Sequence, residues 1–120
     1  MTHNLRSAYA LLRRFKEGSI FAGAKVTPRQ LALVRLLAKD LLPNAKLPKD
    51  VGAPEFAALV GKLCEENTRV NRRWMRAVVL AQEAKKARRL TEGRRHLDAF
   101  IKECSSRWYR MHAEEAKKQL

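Results

Sequence analysis

Four arginines, Arg69, Arg72, Arg73 and Arg76, follow one another at intervals of three, one and three residues. A guanidinium is a permanently charged planar fork of donors, best suited to bidentate binding of carboxylate or phosphate. At about 100° per residue, a helix carrying these four places them within an arc of roughly 100°. The apolar positions of the same stretch, Val70, Trp74, Ala77, Ala81 and Ala84, are centred on another side of the helix. The arginines therefore share one solvent-facing stripe, with no acidic residue among them. Like charges so spaced repel by roughly a few tenths of a kcal/mol per pair, and a helix needing only solubility would interleave glutamates. The stripe points to a polyanion whose phosphates accept the guanidinium forks. The alternative is a solvated face on a basic protein.

The stripe opens a longer track. From residue 69 to residue 95 there are ten basic residues against only Glu83 and Glu92, a local net of +8. Arg88, Arg89, Arg94 and Arg95 extend the primary positions. Lys85 and Lys86, with Arg13 and Arg14 of the first helix, form secondary ones. Counterion release makes such binding strongly salt dependent. About six neutralised phosphates give a log–log slope near −5 on duplex DNA or near −4 on a single strand. These charges indicate nucleic acid in general and do not separate DNA from RNA.

Aromatic residues lie among the cations, Trp74 within Arg72-Arg73-Trp74-Met75-Arg76 and Trp108-Tyr109 beside Arg110. Stacking of a base on an exposed ring contributes about 1–3 kcal/mol. Both tryptophans fall on apolar seams and are expected in the core, with stacking as the alternative. Tyr109, one position off its seam, and Tyr9 on the first helix are the better stacking candidates. A sequence-reading helix-turn-helix requires two short helices joined by three or four residues. Here the second and third helices are separated by about eleven residues with two prolines, and the third is poor in Asn, Gln and Arg. Zinc-finger and Gly-rich RNA-binding signatures are also missing. Backbone recognition by a helical surface, largely independent of sequence, is what these residues support.

Catalysis and cofactors are not expected. His3, His96 and His112 are far apart, and no His-Glu-x-x-His or Cys-x-x-Cys spacing offers a metal site. Cys104 and His112, eight apart, would lie about 12 Å from each other along one helix, too far for a nucleophile–base pair. Cys64 and Cys104 read as small core residues. Glu65-Glu66 and Glu114-Glu115 read as helical partners for Arg69 and Lys118 rather than as metal ligands.

These side chains must be positioned by helices, because no alternating β-branched run with an Asn-Gly or Asp-Gly turn occurs. A first helix spans about 4–17, burying Leu5, Ala8, Leu12 and Phe15, with Gly18 as its stop. Ile20 and Phe21 are expected to tuck the following loop against the core. Thr27-Pro28 opens the second helix, Thr as N-cap and Pro in the first turn. Its apolar arc is wide: Leu31, Val34, Leu37 and Leu41, with Leu33 and Leu36 beside them. Pro43, Pro48 and Gly52 mark a loop. A third helix from about residue 54 turns Phe56, Leu59, Val60 and Leu63 inward, and the periodicity leaves open whether it ends near Asn67 or continues. The arginine helix covers 67–90, and Thr91-Glu92-Gly93 reads as its break. A last helix over 94–118 carries Leu97, Ile101, Cys104, Trp108 and Met111 at steps of four and three. It is expected to form a long antiparallel hairpin with the preceding helix.

Composition sets the class. The chain has 120 residues, 26 Lys+Arg against 12 Asp+Glu, a formal net charge of +14 and 46% hydrophobic residues. That is too apolar for a disordered basic tail. Two cysteines 40 positions apart make no disulfide framework and suit a reducing cytoplasm. No apolar run reaches the ~18 residues of a membrane span, and the first ten residues hold no apolar signal core.

Thr27-Pro28-Arg29-Gln30 and the amphipathic run after it, followed by Glu55-Phe56-Ala57-Ala58-Leu59-Val60, resembles a helical hairpin of phage and mobile-element proteins associated with recombination. Size, helicity and charge are also similar to the small all-helical subunits of CRISPR surveillance complexes. That resemblance implies a bundle holding nucleic-acid backbone along a guide–target path, in antiviral defence. No functional residue is carried over from either family.

The expectation is thus an all-α protein, one compact helical domain over 1–120 with about five helices. It would bind nucleic-acid backbone without catalysis, favouring a single strand or guide–target duplex, beside other protein subunits and away from membranes. The alternatives are an adaptor whose basic face meets an acidic protein, and an RNA- or ribosome-associated factor.

Overall fold

The computed structural model describes residues 2–17, 27–45 and 53–120. Gly18, Ile20, Phe21, Pro48 and Gly52, to which the sequence assigned a stop and loops, lie outside them. Among the described residues the chain is all-α, with five helices: α1 Thr2–Lys16, α2 Pro28–Leu41, α3 Ala53–Lys86, α4 Leu90–Glu103 and α5 Arg107–Lys118. They gather into two compact units, Met1–Asn67 and Thr68–Leu120, and the 34-residue α3 contributes to both.

In the first unit α1 packs on α2. Leu5, Ala8, Leu12 and Phe15 are buried as their spacing requires, and so are Val34, Leu37, Leu41, Phe56, Val60 and Leu63. Phe15 meets Phe56 edge-on at 5.9 Å between ring centres, the geometry that a ring quadrupole favours. Thr27 caps α2 as expected, its hydroxyl accepting from the Gln30 amide while the Gln30 side chain accepts from the Thr27 amide. Tyr9 is not a stacking platform. It is buried, and its hydroxyl donates to the Asp40 carboxylate at 2.7 Å, which gives that buried acid a partner.

In the second unit, Val70, Ala77, Ala81 and Ala84 of α3 are buried, as the seam spacing predicts, while Trp74 of the same seam, expected in the core, is half-buried. The periodicity is interrupted where the sequence reads one last helix. α4 ends at Glu103, and Ser106 starts α5 by accepting the Tyr109 amide at 3.2 Å. This buried serine competes for backbone donors better than it supports a helix interior. The break rotates the chain beyond it: Tyr109 and Ala113 are buried, while Met111 is exposed. The long C-terminal hairpin of two helices is therefore replaced by three segments, with α4 folded against α5.

The turn before α4 also shifts. α3 ends in a Schellman arrangement, with the Arg89 amide on the Ala84 carbonyl at 2.7 Å and the Arg88 amide on the Lys85 carbonyl at 3.0 Å. Gly93, read as a breaker, lies inside α4 and is buried. A Cβ there would come within 3.1 Å of the Ala81 carbonyl oxygen, so glycine lets α4 approach α3 closely.

Replacing Tyr9 with Phe should remove a charge-assisted bond from the first unit without changing its shape. The expected loss is about 1–3 kcal/mol of stability, read as a lower midpoint in urea denaturation.

Candidate nucleic-acid interface

The arginine stripe lies on α3 within the second unit, beside the alanine seam, so that Arg73, Arg76 and Ala77 border one cleft. Arg69, Arg72 and Arg76 are exposed, while Arg73 is half-buried. The stripe is not wholly unneutralised. Arg73 donates to the Glu103 carboxylate at the end of α4 at 2.7 Å, an acid thirty residues away that helical spacing does not reveal. Arg69 is also engaged within the protein. Arg72 and Arg76 have no ion pair among the described residues.

Past the stripe, Arg88 is exposed at φ 60°, the left-handed position that closes α3 and that glycine usually fills. Arg89 comes to 3.7 Å from Glu92, but both side chains are well solvated, so the pair restrains the arginine little. Arg94 and Arg95 are exposed on α4. Of the secondary positions, Lys86 is exposed, whereas Lys85 donates to the Gln119 carbonyl at 3.1 Å and so holds the chain end after α5. Arg13 and Arg14 belong to the first unit. Arg13 pairs with Glu17 at 2.9 Å, and Arg14 lines an open cleft of about 560 Å³ that also meets Arg29.

The aromatic residues pack against one another. Trp74 lies 6.3 Å from Tyr109 and 5.9 Å from His112, and Trp108 meets His112 edge-on at 4.5 Å. Tyr109, expected as a stacking platform, is buried instead, because the break at Ser106 turns it inward. The Trp74 indole nitrogen is buried with no hydrogen-bond partner among the described residues. These rings consolidate the packing of α5 on α3.

The remaining chemistry is sparse. Cys104 caps α4 while His112 lies on α5, so the two do not share a helix. Among the described residues no three His, Cys, Asp or Glu side chains gather as a metal site, and no helix is long and apolar enough to cross a membrane. Burial pushes the Cys64 thiol up, against a weaker opposing pull from Lys16. Lys117 donates to Asp98 at 2.7 Å, and that hydrogen bond moves the ammonium above its ordinary range. A raised lysine keeps this interaction intact below the ordinary lysine range and loses it only in strong base.

No protein-family model matches the chain, and no curated protein or solved structure does either. The residues alone carry the functional reading. Glu103 and His96, the latter half-buried on α4, lie near Arg73 and Arg76, where sequence reasoning did not place them.

Two outcomes follow from this geometry. Arg88→Gly should raise stability by about 1 kcal/mol, because glycine takes a positive φ without the side-chain penalty, and thermal denaturation reads the gain. Cys64 should react with a thiol reagent at neutral pH more slowly than free cysteine, followed by absorbance of the released chromophore.

Proposed function

We propose that the protein binds nucleic-acid backbone without catalysis and largely without regard to sequence, as a small accessory subunit of a larger nucleoprotein assembly. The observation that carries this reading is the composition and exposure of the second unit. From residue 68 to 120 there are fifteen basic residues against six acidic, and ten of the fifteen are arginine. Residues 1–67 are less biased, with eleven basic residues, five of them arginine, against six acidic. Arginine's fork matches the paired oxygens of a phosphate, whereas lysine offers a point charge. Arg72, Arg76, Arg88, Arg94 and Arg95 are all exposed in that unit, and none is held by an ion pair among the described residues. They are the principal phosphate contacts of the proposal, with Arg69 and Arg89 beside them.

Helical regularity with few base-reading side chains favours contacts to phosphate and sugar, which position a ligand but carry no sequence information. A single strand or the backbone of a guide–target duplex meets this requirement. Membership in a defence complex of the CRISPR type, and a cytoplasmic location, extend the proposal on resemblance and cysteine usage alone. A protein contact has its own support. Met75 and Val79 are exposed four residues apart on the outer face of α3, flanked by Arg72 and Arg76. An acidic protein subunit would find both apolar and cationic purchase there, which keeps the adaptor as the second reading.

Fluorescence anisotropy with a labelled oligonucleotide tests the first reading. Wild-type protein should bind with a log–log salt slope of about −4 on a single strand, and changing Arg72, Arg76, Arg94 and Arg95 to Gln should reduce it to about −1.5. Unchanged affinity and slope with retained helicity would reject these contacts. Absorbance at 260 and 280 nm of protein purified from its host, before and after nuclease, separates the readings. An adaptor carries no nuclease-sensitive absorbance.

A further inference from the structure

An open cleft of about 300 Å³ lies between α3 and α4 in the second unit. Its polar lining is Arg73, Arg76, His96 and Glu103, and Leu80 and Phe100 contribute apolar wall. We propose that this cleft is a phosphate subsite for the nucleic-acid ligand, in which Glu103 acts as a resident competitor for Arg73. The proposal rests on the nucleic-acid reading above and adds to it a location and an exchange of partners.

Three properties of Glu103 support the assignment. It is the last residue of α4, where the carbonyl end of the helix disfavours a carboxylate, so its position does nothing for α4 itself. Its one described ion pair is with Arg73 at 2.7 Å, inside the cleft lining. The pair is open to water, with side chains 39% and 67% exposed, and a solvated ion pair of this kind holds its members weakly. A carboxylate and a phosphate present the same paired oxygens to a guanidinium, so a phosphate can take the acid's place on a fork already oriented. Arg76 and His96 add donors on the same lining, and the lone carboxylate is the only group there that opposes an anion. Phe100 is buried, so the cleft takes a sugar–phosphate segment and does not stack a base.

Binding would then move Arg73 from Glu103 to a phosphate oxygen, releasing Glu103 to water. No covalent step is involved. The protein would hold one arginine in reserve, oriented by its own acid until a backbone arrives. The acid lowers affinity and preserves the geometry of the site.

A double-mutant cycle in the full chain tests this, using a labelled oligodeoxythymidine and a labelled duplex. Glu103→Gln should bind roughly two- to fivefold more tightly at ~0.1 M salt, the reverse of a weak solvated pair. The salt slope should steepen by about 0.7 on the single strand and about 0.9 on the duplex if Arg73 becomes fully available. The gain should shrink clearly when Arg73→Gln is combined with Glu103→Gln, relative to Arg73→Gln alone, because only relief of direct repulsion is left. Glu114→Gln, which removes the same charge from α5, should have a smaller effect on affinity. An equal gain in Glu114→Gln, or a gain undiminished by loss of Arg73, would overturn the proposal. Absence of any binding by the wild-type chain would reject the parent reading as well. Binding by the wild type with no coupling in the cycle would reject the subsite alone.

Discussion

Positive charge that the protein cannot neutralise from within is the constraint on which the second unit is built. Fifteen lysines and arginines against six carboxylates over residues 68–120 leave a large surplus however the pairs are drawn. Arg73, Arg89, Lys117 and Lys118 each reach a carboxylate, but at solvated positions where pairing contributes little. Self-repulsion of the rest opposes compaction. Cohesion has to come from apolar packing, and the unit supplies it with small side chains. Ala77, Ala81 and Ala84 present a low surface, Gly93 lets α4 come close to it, and Leu97, Phe100 and Tyr109 close the core. Small residues on the seam and arginines on the outer face of one helix are two sides of the same arrangement. The packing carries the folding, which frees the outer face for charge.

Much of this fold was legible because the apolar spacing of a helix reports one thing, the face that leaves water. Leu5, Ala8, Leu12 and Phe15, and Val70, Ala77, Ala81 and Ala84, lie where their intervals put them. Spacing also misleads when a break preserves the interval. Leu97, Ile101, Cys104, Trp108 and Met111 step regularly through Cys104-Ser105-Ser106, yet the backbone leaves the helix there. A signal was present in the paired serines, whose hydroxyls favour an N-cap over a helix interior. Gly93 shows the converse error. A glycine marks flexibility or close approach, and one sequence cannot say which until a neighbouring helix is placed against it.

The candidate interface was legible in its totals and less so in its details. Charge along one helix fixes which cations share a face, so Arg72 and Arg76 stand exposed as the arithmetic requires. The fates of Arg73 and Lys85 depend on groups thirty and thirty-four residues away, Glu103 and the Gln119 carbonyl. No local pattern encodes such pairs, because they exist only once α4 and α5 are folded back. The tyrosines illustrate the same dependence. Tyr9 is one step from its seam, yet the Asp40 carboxylate draws its hydroxyl inward, making burial of both groups tolerable.

Arg88 separates the demands of folding from those of binding. A helix that ends in a left-handed residue is served best by glycine, which meets no side-chain penalty at φ 60°. The hydrogen bonds of the stop are formed in full, with Arg89 on Ala84 and Arg88 on Lys85, so the turn itself does not require a guanidinium. An arginine there sacrifices stability in a unit already burdened by like charge. Backbone strain of this sort is carried where the side chain has work that folding does not reward. Its neighbours are consistent with that: Lys86 and Arg89 are exposed on either side, and Arg94 and Arg95 come within two turns of α4. A solvated surface selected only for solubility has no reason to place its charge at the one described non-glycine position with positive φ. A surface of the proposed kind, meeting a phosphate backbone, would.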